Sequence, residues 1–117
     1  PCFCTAADLE AQKQAQGVAF RYAGTCRHLS STARMARIQA GDPYVVRLKQ
    51  DQPQIAYNDL VHGTIAVDGK EIDDFIIQRS DKTPVYNLAV VVDDIDMRIT
   101  HIFRGDDHIS NTPKQLL

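Results

Sequence analysis

Two short stretches hold every cysteine of the chain, Cys2-Phe3-Cys4 and Cys26-Arg27-His28, and they constrain the fold more than any other feature. In extended or tightly turned backbone, residues i and i+2 project to the same side. Each stretch therefore offers two soft donors from one local segment, and a turn at Ala23-Gly24 would fold one pair onto the other. Three thiolates and one imidazole form a complete tetrahedral set for a structural zinc, with no position left for water. The surrounding segment of roughly 30 residues is polar and short of apolar material, which is where a metal contributes most to folding. Two other readings stand beside zinc. A free cysteine is commonly a small buried hydrophobe, and C-x-C and C-x-H are less diagnostic than C-x-x-C pairs. A disulfide would leave one odd thiol. Spacing alone weighs zinc and unrelated thiols equally. His62, His101 and His108 stand apart in sequence and read as surface or hydrogen-bonded side chains.

The 117 residues suffice for one small domain. Hydrophobic residues make up 44% and charged residues 24%, ordinary for a globular chain. No apolar run approaches the roughly 18 residues that span a bilayer, and nothing resembles a signal peptide. Scarce cysteine excludes a disulfide-rich secreted scaffold. The net charge of −2 argues against bulk electrostatic capture of nucleic acid. The charge is nonetheless lopsided. Residues 1–49 carry seven Lys/Arg against three acids, and residues 50–117 carry six against twelve. A chance spread over a solvated surface accounts for this better than a polyanion-binding face. The chain begins at Pro1 and stops inside a helical pattern, so it is expected to be a piece of a longer protein.

Helices are expected at Thr5–Gln16, where Thr5 and Asp8 have the spacing of a capping box and Gly17 supplies a left-handed stop, and at Ser30–Ala40, ended by Gly41-Asp42-Pro43. The first is polar and belongs on the surface. Strands are expected at Tyr44–Lys49, in one or two segments of the stretch from Ile55 to Ile72 with a hairpin turn at Asp68-Gly69, and at 74–80. Ser80–Pro84 reads as a loop. Val85–Val92 is apolar almost throughout and its period is ambiguous; Pro84, suited to a first helical position, tips it to helix. Ile99–Gly105 reads as a buried strand. Ser110–Leu117 starts a helix, capped by Ser110 or Asn111, with Pro113 in the first turn.

Asp93, Asp94 and Asp96 would suit Mg²⁺ only if all three faced one ion, so exposed carboxylates at a helix end are the better reading. Asp106-Asp107-His108 follows the strand that ends in Arg104-Gly105. A strand, a glycine, acids and then a capped helix is the arrangement around which open α/β sheets place ligands. Arg104 at that edge can grip a carboxylate or phosphate with two parallel hydrogen bonds, or serve in a salt bridge.

The run from Arg79 to Gln115, "RSDKTPVYNLAVVVDDIDMRITHIFRGDDHISNTPKQ", closely resembles the class I glutamyl-tRNA synthetases. The head, "CFC…RYAGTCRHLS", is similar to the zinc-bearing segment of many bacterial members, and "VVRLK…YNDLVHGTI…DDFII" also matches. The resemblance covers essentially the whole chain. It implies an α/β fragment in three parts: a zinc-bearing, helical, acceptor-stem-contacting segment at 1–43, a β-rich part of the insertion at 44–73, and at 74–117 the second half of a Rossmann-type catalytic domain. It implies a structural Zn²⁺ on Cys2, Cys4, Cys26 and His28. It implies an enzyme, ordinarily a cytoplasmic monomer, that activates L-glutamate with ATP and Mg²⁺ and transfers it to tRNA(Glu).

Site residues follow by the same resemblance. The Tyr of the family's P-x-Y stretch falls on Tyr86 and the residue four further on is Val90, both contacts of the amino acid, though an apolar Val90 has no polar role there. The Arg of "RGED" falls on Arg104, expected to pair with the side-chain carboxylate of glutamate. Neutral glutamine would leave that cation unpaired. Asp107, with His108 beside it, falls near ATP or the adenylate. Asp106 stands where Glu is commoner, and Lys82 where Gly is usual. The family's "HIGH" and "KMSKS"-like ATP motifs do not occur in the 117 residues, so the chain alone is expected not to aminoacylate. Two alternatives are a shortened paralogue that attaches glutamate to a modified base of tRNA(Asp), and a stand-alone zinc-stabilised RNA-binding module.

Overall fold

A computed structural model describes all 117 residues. They divide into two units, each assembled from two stretches of chain: Pro1–Lys49 with Asp73–Thr83, and Gln50–Ile72 with Pro84–Leu117.

The first unit opens with α1 (Ala6–Gln16), which forms because its first-turn amides find acceptors before the chain enters it. Thr5 Oγ1 accepts from the Asp8 N–H at 3.2 Å, and Asp8 Oδ2 accepts from the Thr5 N–H at 2.7 Å, the expected capping box. The Thr5 N–H, and then the Thr5 hydroxyl at 2.8 Å from Oδ2, favour the charged carboxylate and hold Asp8 below the usual range. No residue of α1 is buried, as its polarity requires. Gly17 stops it at φ 75°, ψ −149°, a conformation outside the left-handed helical well and open essentially to glycine alone. The second helix, α2 (Ser31–Gln39), is capped by Ser30, whose Oγ accepts from the Ala33 N–H at 3.1 Å.

The core of this unit is small. Cys2, Phe3, Tyr22 and Cys26 are buried, with Leu9, Leu29, Ile38, Tyr44 and Val45 packed around them. Cys2 and Val45 exchange backbone hydrogen bonds of 2.8 and 3.0 Å in an antiparallel bridge. The strand expected at 44–49 is narrower: only β1 (Val46–Arg47) joins the ladder, against β4 (Ile76–Gln78), because a bulge between Val46 and Arg47 breaks the register. In the loop that follows, Lys82 takes φ 71°, a conformation that a glycine would accept freely. That costs an L-residue about 1–2 kcal/mol. Its ammonium lies 3.7 Å from the centroid of the Tyr44 ring, a cation–π contact that offsets part of the cost.

The second unit is led by an antiparallel hairpin, β2 (Gln54–Asp59) and β3 (Gly63–Asp68), in register from Gln54↔Asp68 to Asp59↔Gly63. Its turn is Leu60–His62, not Asp68-Gly69. Asp59 Oδ1 accepts the N–H groups of Val61 and His62 at 2.8 Å each, and Gly63 supplies φ 74°. These bonds hold the Asp59 carboxyl below its usual range. Asp68 instead caps a 3₁₀ turn, accepting from the Lys70 N–H at 2.8 Å. Gly69 is needed for close approach rather than for a positive φ, since a Cβ there would fall 1.8 Å from the Gln52 carbonyl oxygen.

The ambiguous apolar run is helical, α3 (Tyr86–Asp96), and Pro84 lies outside it, before the N-cap Val85. The helix runs on through Asp93–Asp96 and ends in a Schellman arrangement: Arg98, at φ 56°, donates to Ile95 O at 3.1 Å and Ile99 donates to Asp94 O at 2.9 Å. The strand expected at Ile99–Gly105 is absent. No neighbour in the chain offers it a ladder, and Ile102 and Phe103 stand 55% and 88% exposed. The last helix, α4 (Thr112–Leu116), follows a 3₁₀ turn over Asp106–Asn111, with Pro113 in its first turn as expected. Asn111 precedes it without a side-chain cap; its amide lies 3.3 Å from His108 Nδ1. No helix is long and apolar enough to cross a membrane.

Candidate functional site

The cysteines of the first unit converge. Cys2 and Cys4 flank Phe3 on extended backbone, and Phe3 is held on its own side by Tyr44 at 5.6 Å and by the Arg37 guanidinium at 4.3 Å. Cys26 comes from the Thr25–His28 turn, closed by the Arg27 N–H on Gly24 O at 2.8 Å, with Gly24 at φ 72°. All three Sγ atoms lie within 4.8 Å of one another, and Cys4 Sγ is 3.7 Å from Cys26 Sγ. Sulfurs bound about 2.3 Å from a tetrahedral zinc stand roughly 3.8 Å apart, so this donor set fits a zinc.

Burial pushes thiols up, but at Cys2 the hydrogen bonds from Tyr22, the Cys4 backbone and Arg47 outweigh it and bring the pKa down to about 7. Cys4 goes the other way, to about 11, through burial and then the adjacent Cys2 and Cys26 sulfurs. His28, the fourth expected donor, is exposed and lies outside the sulfur cluster. The polar atom among the sulfurs is Tyr22 Oη, 3.2 Å from Cys2 Sγ and 3.9 Å from Cys4 Sγ, and accepting the Cys26 N–H at 2.9 Å. Burial, then the neighbouring Cys2, raises the Tyr22 phenol. The expected turn at Ala23-Gly24 is what brings this hydroxyl in; its signal in the sequence is Tyr22 four residues before Cys26, across a glycine.

A charged clasp ties residues 73–83 to this arm. The buried Asp74 carboxylate is paired with Arg27, and Arg47 Nη1 donates to the Asp74 carbonyl at 2.7 Å while its guanidinium lies 3.8 Å from the Tyr22 ring centroid. Asp73 Oδ2 accepts the Tyr22 N–H at 3.2 Å.

In the second unit Arg104 is half-buried and lines a cleft of about 340 Å³ with the 57–62 hairpin end and the segment from Thr100 to Asp106. Its Nη1 donates to Gln115 Oε1 at 2.7 Å and its Nη2 to Thr112 Oγ1 at 2.8 Å. Gln115 Nε2 in turn donates to Asn87 Oδ1 at 3.1 Å. Asn87 adjoins Tyr86 on α3; Tyr86 is 52% exposed, and Val90, one helical turn on, is half-buried. Asp107 is exposed and 3.6 Å from His108 Nε2. Asp106 pairs with His62 at 3.0 Å, and that bond, then its charge, raises the imidazole pKa. Asp93, Asp94 and Asp96 form no cluster at metal-ligand distance, and His101 bonds the Thr100 hydroxyl at 3.0 Å. Gln115 and Asn87 were not singled out in the sequence, since an amide carries no signal of its own.

The sequence model of the class I tRNA synthetases (E and Q), catalytic domain, matches residues 1–117. The chain therefore belongs to that family, as a mixed α/β part of its catalytic domain. Within it, the relatives are glutamate–tRNA ligases. The ligase of Hydrogenobaculum sp. (strain Y04AAS1) is 48% identical over 120 residues, 99% of this chain and 26% of that protein. The ligase of Aquifex aeolicus (strain VF5) is 44% identical over 121 residues, 100% of this chain and 26% of that protein. The crystal structure of the glutamate tRNA ligase from Elizabethkingia meningosepticum, in complex with its amino acid, superposes with a TM-score of 0.85 at 27% identity, over 98% of this chain and 25% of that one. The chain thus spans about a quarter of the length of the relatives it matches.

Proposed function

We propose that this chain serves as the central part of a glutamate–tRNA ligase, which activates L-glutamate with ATP and Mg²⁺ and transfers it to tRNA(Glu) in the cytoplasm, the full-length enzyme acting as a monomer. The observation that carries this reading is Arg104: a half-buried guanidinium facing a cleft, hydrogen-bonded only to neutral oxygens in a chain whose relatives are glutamate–tRNA ligases. Its remaining N–H donors fit the side-chain carboxylate of glutamate. A neutral amide in the same place leaves a desolvated cation unpaired, which is how glutamine is refused. Tyr86 and Val90 share a face of α3 and form a wall of the amino-acid site. Asp107 and His108, at the turn after Arg104, lie towards the nucleotide.

Residues 1–43 act as the arm that contacts the tRNA acceptor stem, residues 44–73 as the β-rich part of the insertion, and residues 74–117 as the second half of the Rossmann-type domain. Cys2, Cys4 and Cys26 hold a structural zinc as thiolates. The resemblance supplies His28 as the fourth donor, two residues beyond Cys26, and the Tyr22 hydroxyl is placed to hydrogen-bond the sulfurs. Zinc here supplies a cross-link between two chain segments and takes no part in the reaction. The chain alone lacks the two ATP motifs and does not aminoacylate.

The test is glutamate-dependent ATP–pyrophosphate exchange by the full-length ligase. Arg104→Ala is expected to lower kcat/KM for glutamate by about 10²-fold or more, as for a site that loses a buried polar partner of its substrate. A variant that exchanges at the parental rate and still prefers glutamate to glutamine would remove Arg104 from this role.

A further inference from the structure

We propose that Gln115 is a positioning residue for Arg104, and that its neutrality determines specificity: it aims the guanidinium without neutralising the charge that selects a substrate carboxylate. This rests on the role given to Arg104 above. The orientation of the network is fixed from the guanidinium outward. An arginine only donates, so the Gln115 atom 2.7 Å from Nη1 must be its carbonyl oxygen. That turns the Gln115 NH₂ to Asn87, whose facing atom at 3.1 Å must then be an acceptor. No member of the relay can flip without losing a bond. Thr112 and Gln115 lie three residues apart on one face of α4, so Nη2 and Nη1 are held from a single helix. Asn87 lies on α3 beside Tyr86, and so the relay ties the aim of Arg104 to the helix that carries the other amino-acid contacts.

The chemistry of the partners carries the specificity. A guanidinium drawn partly out of water gains most from a carboxylate partner. Arg104 has no ion pair, although Asp106 and Asp107 follow within three residues; Asp106 is taken by His62, and Asp107 stands by His108. Its two bonds go to an amide and a hydroxyl, neither of which competes for charge. A glutamate at position 115 has the same shape and would satisfy the same N–H, but it would pair with the cation. The site would then lose its reason to prefer a charged side chain over a neutral amide.

The experiment measures the Kd of glutamate and of glutamine for the full-length ligase by calorimetry, alongside KM and kcat in pyrophosphate exchange, with melting curves to confirm folding. Gln115→Leu is expected to weaken glutamate about tenfold, the loss of one charge-assisted hydrogen bond, with KM for ATP unchanged within about twofold. The isosteric Gln115→Glu is expected to weaken glutamate at least as much while glutamine binding holds or improves, so the ratio of the two Kd values collapses. Asn87→Ala should give a smaller shift in the same direction. In an Arg104→Met background, which has no cation left to neutralise, Gln115→Glu should change the ratio far less than in the parent. Parental selectivity in both Gln115 variants, with selectivity lost in Arg104→Ala, overturns this proposal and leaves the reading of Arg104 standing. Selectivity retained in Arg104→Ala overturns the reading itself. Equal losses for glutamate, glutamine and ATP in folded Gln115→Glu reduce the residue to a general packing role and also overturn the proposal.

Discussion

The two units hold their functional side chains by opposite means. In the first, charge is gathered and matched: three sulfurs share a space that fits a divalent cation, and the buried Asp74 carboxylate is answered by Arg27. In the second, charge is left unmatched: the Arg104 guanidinium is held by an amide and a hydroxyl and has no ion pair within the chain, as the proposed recognition of a carboxylate requires. A side chain whose task is to brace a weak core benefits from the strongest local partner. A side chain whose task is to recognise an ion must be held without being neutralised.

The largest effect that would break this contrast lies at the sulfurs. Cys26→Ser removes the one sulfur contributed by the turn, and the chain is expected to go from near-equimolar zinc to almost none, with loss of ordered structure in a first unit whose core is four buried residues. Elemental analysis and near-ultraviolet circular dichroism check this; unchanged zinc and an unchanged spectrum would show that the cysteines are packing residues only. Next in size is the clasp. Arg27→Ala removes the guanidinium paired with the buried Asp74 carboxylate and should cost about 3 kcal/mol in denaturant unfolding. A loss under about 1 kcal/mol would class the pair with surface ion pairs.

The smallest effect concerns the exposed hairpin end of the second unit. His62 is raised above its ordinary value by its bond to Asp106, then by that carboxylate's charge, with a further contribution from Asp59. A raised histidine adds stability that is fully present below its unfolded pKa of about 6.5 and is lost as pH rises through the folded value. The His62 ring protons in an NMR titration should therefore show a midpoint above the ordinary one, falling back in Asp106→Asn. An identical midpoint in the variant would dissolve the pair.

Much of the first unit was legible because its signals are local. Thr5-Asp8 and Ser30 announce helices through their own hydrogen bonds, and i, i+2 cysteines share a side without help from the rest of the chain. Tyr22 was missed because its part depends on the turn that brings Cys26 back beneath it. In the second unit the helical reading of 85–92 held, although Val85 rather than Pro84 stands at its start. The hairpin turn was misplaced because Asp68-Gly69 has turn chemistry, yet Asp59 and Gly63 close the loop while Gly69 serves a backbone crossing. Ile99–Gly105 has the composition of a buried strand, but a strand exists only through a neighbour's hydrogen bonds, and none in this chain lies alongside. The Arg104 relay was invisible because its members are neutral and far apart in sequence.

The zinc proposed for the first unit is surrounded by three thiolates and one lighter donor. X-ray absorption at the zinc edge of the metal-loaded chain reads that shell directly. Three sulfur scatterers are expected near 2.3 Å, with one nitrogen or oxygen near 2.0–2.1 Å. A shell of nitrogen and oxygen alone would contradict it.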